Sequence, residues 1–387
     1  MLERAHQIKD QLVRWRREIH QHPELGFHET HTAALVAQVM DHLGYRVRTG
    51  VGRTGVVGER GEGKPIVAIR ADMDALPLQE ANDVPYASQV PGVMHACGHD
   101  AHAAIALGVA TLLAQETFPG TIRFLFQPAE EVSDDEGLSG APRMVQDGAM
   151  AGVNAVLALH VFAGAPVGEI SVDSGPASAG VDTFWVTVTG QGVHGAYPHK
   201  GVDPIHIAAH VILALNGIIS RRVDPFDAAV ISLGSIHGGR VSNVIPESVE
   251  LAGTIRYELP EVQKQLHAEI ERALGVARAL GGDYEFKMEY GGPPMINDAG
   301  VVDVIRQVAT DLLGSANVKP KEKGMGAEDF GALSERAPGA MFRLGCQIGD
   351  EERKGHSPTF DLDERCLPIG AAVLAESALR LLRTPRS

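Results

Sequence analysis

Residues 94–102, MHACGHDAH, bring Cys97, His99 and three further ionisable side chains into nine positions. A thiol and an imidazole two residues apart on a loop or strand end can point the same way, as a soft-to-borderline divalent ion requires. A lone Cys-x-His is as readily a polar turn closed by Gly98. Three more stretches weigh against that plainer reading: FQPAEE (126–131), LHVF (159–162) and GHSP (355–358) each set Glu or His after an apolar run or beside glycine. Glu130 and Glu131 follow the apolar run IRFLF after only Gln-Pro-Ala, where an exposed acidic pair fits poorly. Adjacent carboxylates can divide their work, one holding metal while the other takes a proton.

The elements that must position these residues alternate along the first third of the chain. Residues 2–21 and 29–43 read as helices, the second stopped by Gly44 in the C′ position. Apolar strands follow at 56–58, 66–70, 122–126 and 155–159, with helical segments at 102–115 and 137–147. This is an α/β pattern with a mixed, mostly parallel sheet, in which ligands gather beyond the carboxyl ends of the strands. Asp72 and Asp74 follow IVAIR, Glu130 and Glu131 follow IRFLF, and His160 follows AVLAL, so three strand ends deliver acid or imidazole to one rim. Asp74 suits the task of orienting a ligand imidazole, with a turn or cap before Pro77 as the alternative.

From about residue 181 the order becomes strand (182–189), helix (203–222), two strands (229–236, 249–257), helix (261–281) and strand (283–290). That βαββαβ order is ferredoxin-like. The expected layout is a discontinuous catalytic, metal-binding domain of 1–178 and 295–387, interrupted by an inserted domain of 179–294. The proline- and glycine-containing segments 174–176 and 291–294 are the expected crossings.

At 387 residues the chain exceeds one ordinary core. Hydrophobic residues at 44% and charged residues at 21% describe a globular protein rather than a disordered one. A net charge of −15 argues against a nucleic-acid partner, because a phosphate backbone needs a basic face. No apolar run is read as a membrane span, and the charged, amphipathic N-terminus does not read as a secretion signal. Three cysteines cannot build a disulfide framework, which suits a reducing, cytoplasmic setting and frees Cys97 to act as a ligand. Cys346 and Cys366 read as ordinary buried residues.

Nine motifs in order give a resemblance that runs nearly end to end: HQHPELGFHE, ADMDALP, MHACGHDAH, QPAEE, LHVF, GVHGAYPHKGVDP, SNVIP, GAEDF and GHSPTFDLDE. The chain resembles the aminoacylase/carboxypeptidase superfamily of dinuclear metallohydrolases, in the branch of hippurate hydrolases, N-acyl-amino-acid amidohydrolases and plant auxin-conjugate hydrolases. The resemblance implies that Cys97, His99, Glu131, His160 and His356 bind two divalent ions, with Cys97 bridging where sister branches use aspartate. Mixed S/N/O ligation suits Mn²⁺ or Zn²⁺, and also Co²⁺ or Ni²⁺, more than Ca²⁺ or Mg²⁺. It further implies that Glu130 is the general base toward a metal-activated water, and Asp74 joins the catalytic group as the carboxylate that orients a ligand imidazole. His194, from the inserted lid and dimerisation domain, would reach the partner subunit's site to stabilise the oxyanion. Asn243 and Arg256 would receive the substrate carboxylate, although a surface salt bridge is the commoner role for an arginine taken alone. Glu328 and His22–Glu24 match motifs without a chemical role, and structural support is their default.

The expected activity is metal-dependent hydrolysis of N-acyl amino acids by a homodimer, or a homotetramer, with no nucleic-acid or membrane partner. A dipeptidase or carboxypeptidase with the same chemistry is the alternative, and a non-catalytic metal-binding protein is the rival from another class. A zinc nucleoside deaminase is disfavoured because its Pro-Cys-x-x-Cys signature is absent. The acidic segment 132–140 is longer than the family's usual link.

Overall fold

A computed structural model describes residues 1–320, 324–351 and 353–384. It divides into two compact units: Ser178–Met295 with Gly324–Glu328 form the smaller, and the remaining described residues the larger.

The larger unit is built on an eight-stranded sheet. Its strands are β1 (Arg46–Val51), β2 (Gly55–Glu62), β3 (Ile66–Asp72), β4 (Gly120–Gln127), β5 (Ala155–Phe162), β6 (Ile170–Ser171), β7 (Val318–Lys319) and β8 (Gly339–Gly345), in the order β1-β2-β4-β3-β5-β8-β6-β7. The central strands β4, β3, β5 and β8 run parallel, and antiparallel pairs occur at β1/β2, β2/β4 and β8/β6. Strands β3 and β4 are apolar and buried almost throughout, as central parallel strands covered on both faces must be. Their carboxyl ends, with that of β5, put Asp72, Glu130 and His160 on one rim.

Helix α1 (Lys9–Gln21) follows a separate short helix, Leu2–Gln7, where a single long helix is expected from sequence. At Ile8 the amide bonds the carbonyl three residues back, Ala5 O, which tightens the turn and breaks the run. Helix α2 (Thr30–His42) ends as its glycine requires. Gly44 adopts φ 77°, its amide bonds Asp41 O and that of Tyr45 bonds Met40 O, a Schellman closure. Helix α3 (His99–Leu113) starts three residues earlier than its apolar pattern suggests, so His99 and Asp100 sit in its first turn. It is the buried spine of this unit. Its alanines and Gly108 let α1 come close: a Cβ on Gly108 would stand 2.4 Å from Leu12 Cδ2.

The smaller unit has four antiparallel strands in the spatial order Ala229–Gly238, Ser248–Tyr257, Gly180–Thr189, Asp283–Gly292, which is the ferredoxin-like order. The helices Pro204–Arg222 and Pro260–Leu274 bury Val211, Leu215, Leu266 and Ile270 in its core. The sequence places residues 324–328 in the catalytic domain; they belong with the smaller unit, because Ala179 N bonds Gly326 O and Ala179 pairs with Ala327. The helix Pro204–Arg222 has the length and mean hydropathy, 1.2, of a spanning segment, a feature masked in the sequence by His206, His210 and Asn216. It packs one face into the unit's core and leaves those three polar residues exposed, the pattern of an amphipathic helix.

Candidate metal centre

At the end of β3 the chain carries Asp72 and Asp74, both buried, and each is committed to a histidine on α3. Asp74 O and Oδ1 stand 2.9 and 3.2 Å from His99 Nδ1, which therefore donates to them. Asp74 Oδ2 accepts the amide of Glu131 at 3.0 Å, so one carboxylate orients two neighbouring groups. Asp72 Oδ1 lies 2.6 Å from His102 Nδ1, while His102 Nε2 accepts the Val161 amide at 3.0 Å. His102 is thus a fixed neutral ring bracing the backbone beside His160. The spacing of His99 and His102, three apart on a helix, was the sequence signal that they share a face.

These contacts decide which ring nitrogen is left to face the rim. His160 Nδ1 donates to Val161 O at 2.8 Å, and its Nε2 lies 3.5 Å from Cys97 Sγ. His99 presents Nε2, which is buried with no hydrogen-bond partner among the described residues, as is Glu131 Oε1. His356 Nε2 approaches Glu131 Oε1 to 3.1 Å without hydrogen-bonding geometry. Burial pushes the Cys97 thiol far above its ordinary range and the His160 imidazole down to about 3. Burial also opposes a charge on His99, but Asp72 outweighs it and holds that pKa up. A proton there occupies the place a cation would take.

The donor atoms fall into two groups. Cys97, His99 and His160 offer ligand atoms within 4.8 Å of one another, and so do Cys97, Glu131 and His356. Cys97 alone belongs to both. Glu130 joins a third group with His99 and Glu131. The residues fit a pair of divalent cations on their donor chemistry: thiolate, imidazole and carboxylate converge, with two buried donor atoms left without hydrogen bonds.

Backbone strain accompanies these candidate donors. His356 has φ 58°, with its amide held by Ala96 O at 2.7 Å, and Ala129, directly before Glu130, has φ 44°. The buried Glu29 accepts the Ala129 amide at 2.8 Å and also bonds Thr54. Gly98 separates Cys97 and His99, with Cys97 in a bend and His99 opening α3. At φ 92° a Cβ on it would meet Val161 Cγ2 at 2.3 Å, so glycine is required there.

The motifs that lacked a chemical role supply scaffolding. In GAEDF the organiser is Asp329, which accepts from Arg70, Gln127, Ser139 and the Ala141 amide at 2.7–3.0 Å. Glu24 accepts the His31 and Thr32 amides and so caps α2. The acidic segment is anchored by Asp134, which binds Arg53 and Arg143 and closes a turn onto Leu138 N.

In the smaller unit His194 and Asn243 are neighbours, since His194 pairs with Val244 and Gly195 N bonds Asn243 O at 2.7 Å. His194 Nδ1 accepts the Ala196 amide at 3.1 Å, which leaves its exposed Nε2 carrying the proton as a donor. Arg256 lies within the strand Ser248–Tyr257, half-buried, and burial lowers its pKa.

The description "Peptidase family M20/M25/M40" matches residues 68–380. The chain belongs to this family. It is a hydrolase acting on amide bonds. Thermostable carboxypeptidase 2 of Saccharolobus solfataricus is 40% identical over 97% of this chain and 96% of its own length. N-acetyl-L-cysteine deacetylase of Bacillus subtilis is 38% identical over 97% of this chain and 89% of its own. Among solved structures, the Bacillus subtilis YXEP protein, a dinuclear metal-binding peptidase of the M20 family, superposes with a TM-score of 0.85 at 34% identity, covering 97% of this chain and 98% of that one.

Proposed function

We propose that this M20-family hydrolase cleaves the amide bond of N-acyl amino acids, releasing a carboxylic acid and a free amino acid. The observation that carries the reading is the pair of three-donor groups sharing Cys97, with Glu130 beside them. Likeness to a deacetylase of N-acetyl-L-cysteine supports the substrate class. Two divalent cations, Mn²⁺ or Zn²⁺ in first place, would supply the Lewis acidity that polarises the scissile carbonyl and acidifies a water.

The remaining work falls to the chain. Cys97, His99 and His160 would hold one ion, and Cys97, Glu131 and His356 the other. Asp74 fixes the His99 ring and the Glu131 backbone. Glu130 takes the proton of the attacking water on a carboxylate oxygen and passes one to the leaving amine. His194 Nε2–H donates to the oxyanion, while Asn243 and the fork of Arg256 receive the substrate carboxylate. A homodimer is the proposed active form.

Likeness to a carboxypeptidase supports a second reading, in which the same residues cleave a C-terminal peptide bond. A panel of N-acetyl and N-benzoyl amino acids set against unblocked dipeptides and N-blocked dipeptides, with Mn²⁺- and Zn²⁺-loaded protein, separates the two. The first reading expects the highest kcat/KM on N-acyl amino acids. Preference for N-blocked dipeptides would transfer the assignment to carboxypeptidase.

A further inference from the structure

A second group of ligating side chains lies on the surface of the larger unit, outside the centre described above. Glu18 belongs to the last turns of α1, His22 caps that helix, and His31 lies in the first turn of α2. A ligand atom of each lies within 4.8 Å of the other two. Glu18 Oε1 is 3.4 Å from His22 Nδ1 and 3.4 Å from His31 Nε2, and the two imidazole centroids are 4.9 Å apart. These separations are long for a charge-assisted hydrogen bond, about 2.7–2.9 Å. They match the edge of a tetrahedron whose centre lies at zinc–ligand distances, about 3.3–3.5 Å.

The geometry points to a separate site for one borderline divalent cation, Zn²⁺ or a close analogue, held by Glu18, His22 and His31 with water completing the tetrahedron. Two imidazoles and one carboxylate are a donor set that zinc accepts and that calcium or magnesium does not prefer. The frame is already set. Glu24 holds the first turn of α2 through the amides of His31 and Thr32, at 2.8 and 2.9 Å. His22 Nδ1 donates to Glu18 O at 2.9 Å, so the ring stands against the end of α1; to take the ion it loses that proton and turns Nδ1 from the carbonyl toward Glu18 Oε1. The ion ties α1 to α2 across the connecting loop, whose Glu24 carbonyl accepts the Ala75 amide next to Asp74. Its role is a clamp on that loop.

The test uses tag-free protein already saturated with Zn²⁺ at its tight sites and titrated with further Zn²⁺ by calorimetry at neutral pH. Wild type is expected to take one additional ion per chain and to gain thermal stability as it does so. His31→Gln and Glu18→Gln are expected to weaken that binding by roughly 10–100-fold or more, since loss of a ligand exceeds loss of its supporting partner, while amide hydrolysis before the titration stays at the wild-type rate. His210→Gln serves as the control, because His206 and His210 form another exposed imidazole pair, 4.7 Å between centroids. No additional ion in wild type, unchanged affinity in His31→Gln, or a site lost in His210→Gln instead would each overturn the assignment.

Discussion

Replacing Glu130 by glutamine keeps the shape of the side chain and removes its ability to take a proton. If Glu130 is the base and Glu131 a ligand, Glu130→Gln keeps its metal and loses turnover by about 10²–10⁴-fold, whereas Glu131→Gln loses metal as well. Elemental analysis beside steady-state kinetics checks both halves, and near-normal turnover in Glu130→Gln would exchange or remove the two roles. Much of this site was legible in the sequence, because the candidate donors recur as residue types next to glycine and strand ends: Cys97, His99, Glu131, His160 and His356 are brought together from four places in the chain. Their supports were less legible. His102, Glu29 and Asp329 act through hydrogen bonds to backbone and side chains far away in the chain, and no local spacing in the sequence encodes those partners.

The first turn of α3 is locked to α1 by a buried ionic network. Arg16 donates to Asp100 at 2.7 Å and to Asp361 at 2.9 Å, and His20 bridges Asp100 and Glu80 at 2.8 and 3.3 Å. Burial opposes a charge on His20, but Asp100 and Glu80 outweigh it and raise its pKa above the ordinary 6.5. A raised folded-state pKa means that the charged ring stabilises the fold fully below that ordinary value, and that the contribution is lost as pH rises through the folded one. Urea unfolding of wild type and His20→Asn across this range is expected to show the largest deficit on the acid side, narrowing as pH climbs. A deficit that widens with pH would mean that His20 is buried neutral. At this scale the strands and helices followed from hydrophobic period, while helix starts did not. The α3 start slipped because His99 and Asp100 are polar and yet buried, so the apolar pattern begins only behind them.

For the whole molecule, the inserted unit was legible as a change from parallel to βαββαβ order, but the return of residues 324–328 to it was not, since that depends on one backbone bridge to Ala179. If His194 serves the partner subunit, two inactive variants complement each other. Mixing Glu130→Gln with His194→Ala under subunit exchange then restores roughly a quarter of wild-type turnover, because half of random dimers carry one intact site. Exchange without recovery would place the donor in its own chain or deny it the role. The central claim is that two ions share Cys97. Metal equivalents per chain, counted by elemental emission in a His31→Gln background that silences the outer site, test it most directly. Cys346→Ala is expected to keep two tightly held ions, and Cys97→Ala to lose its hold on both. Equal metal content in the two variants would contradict the shared thiolate and the dinuclear centre built on it.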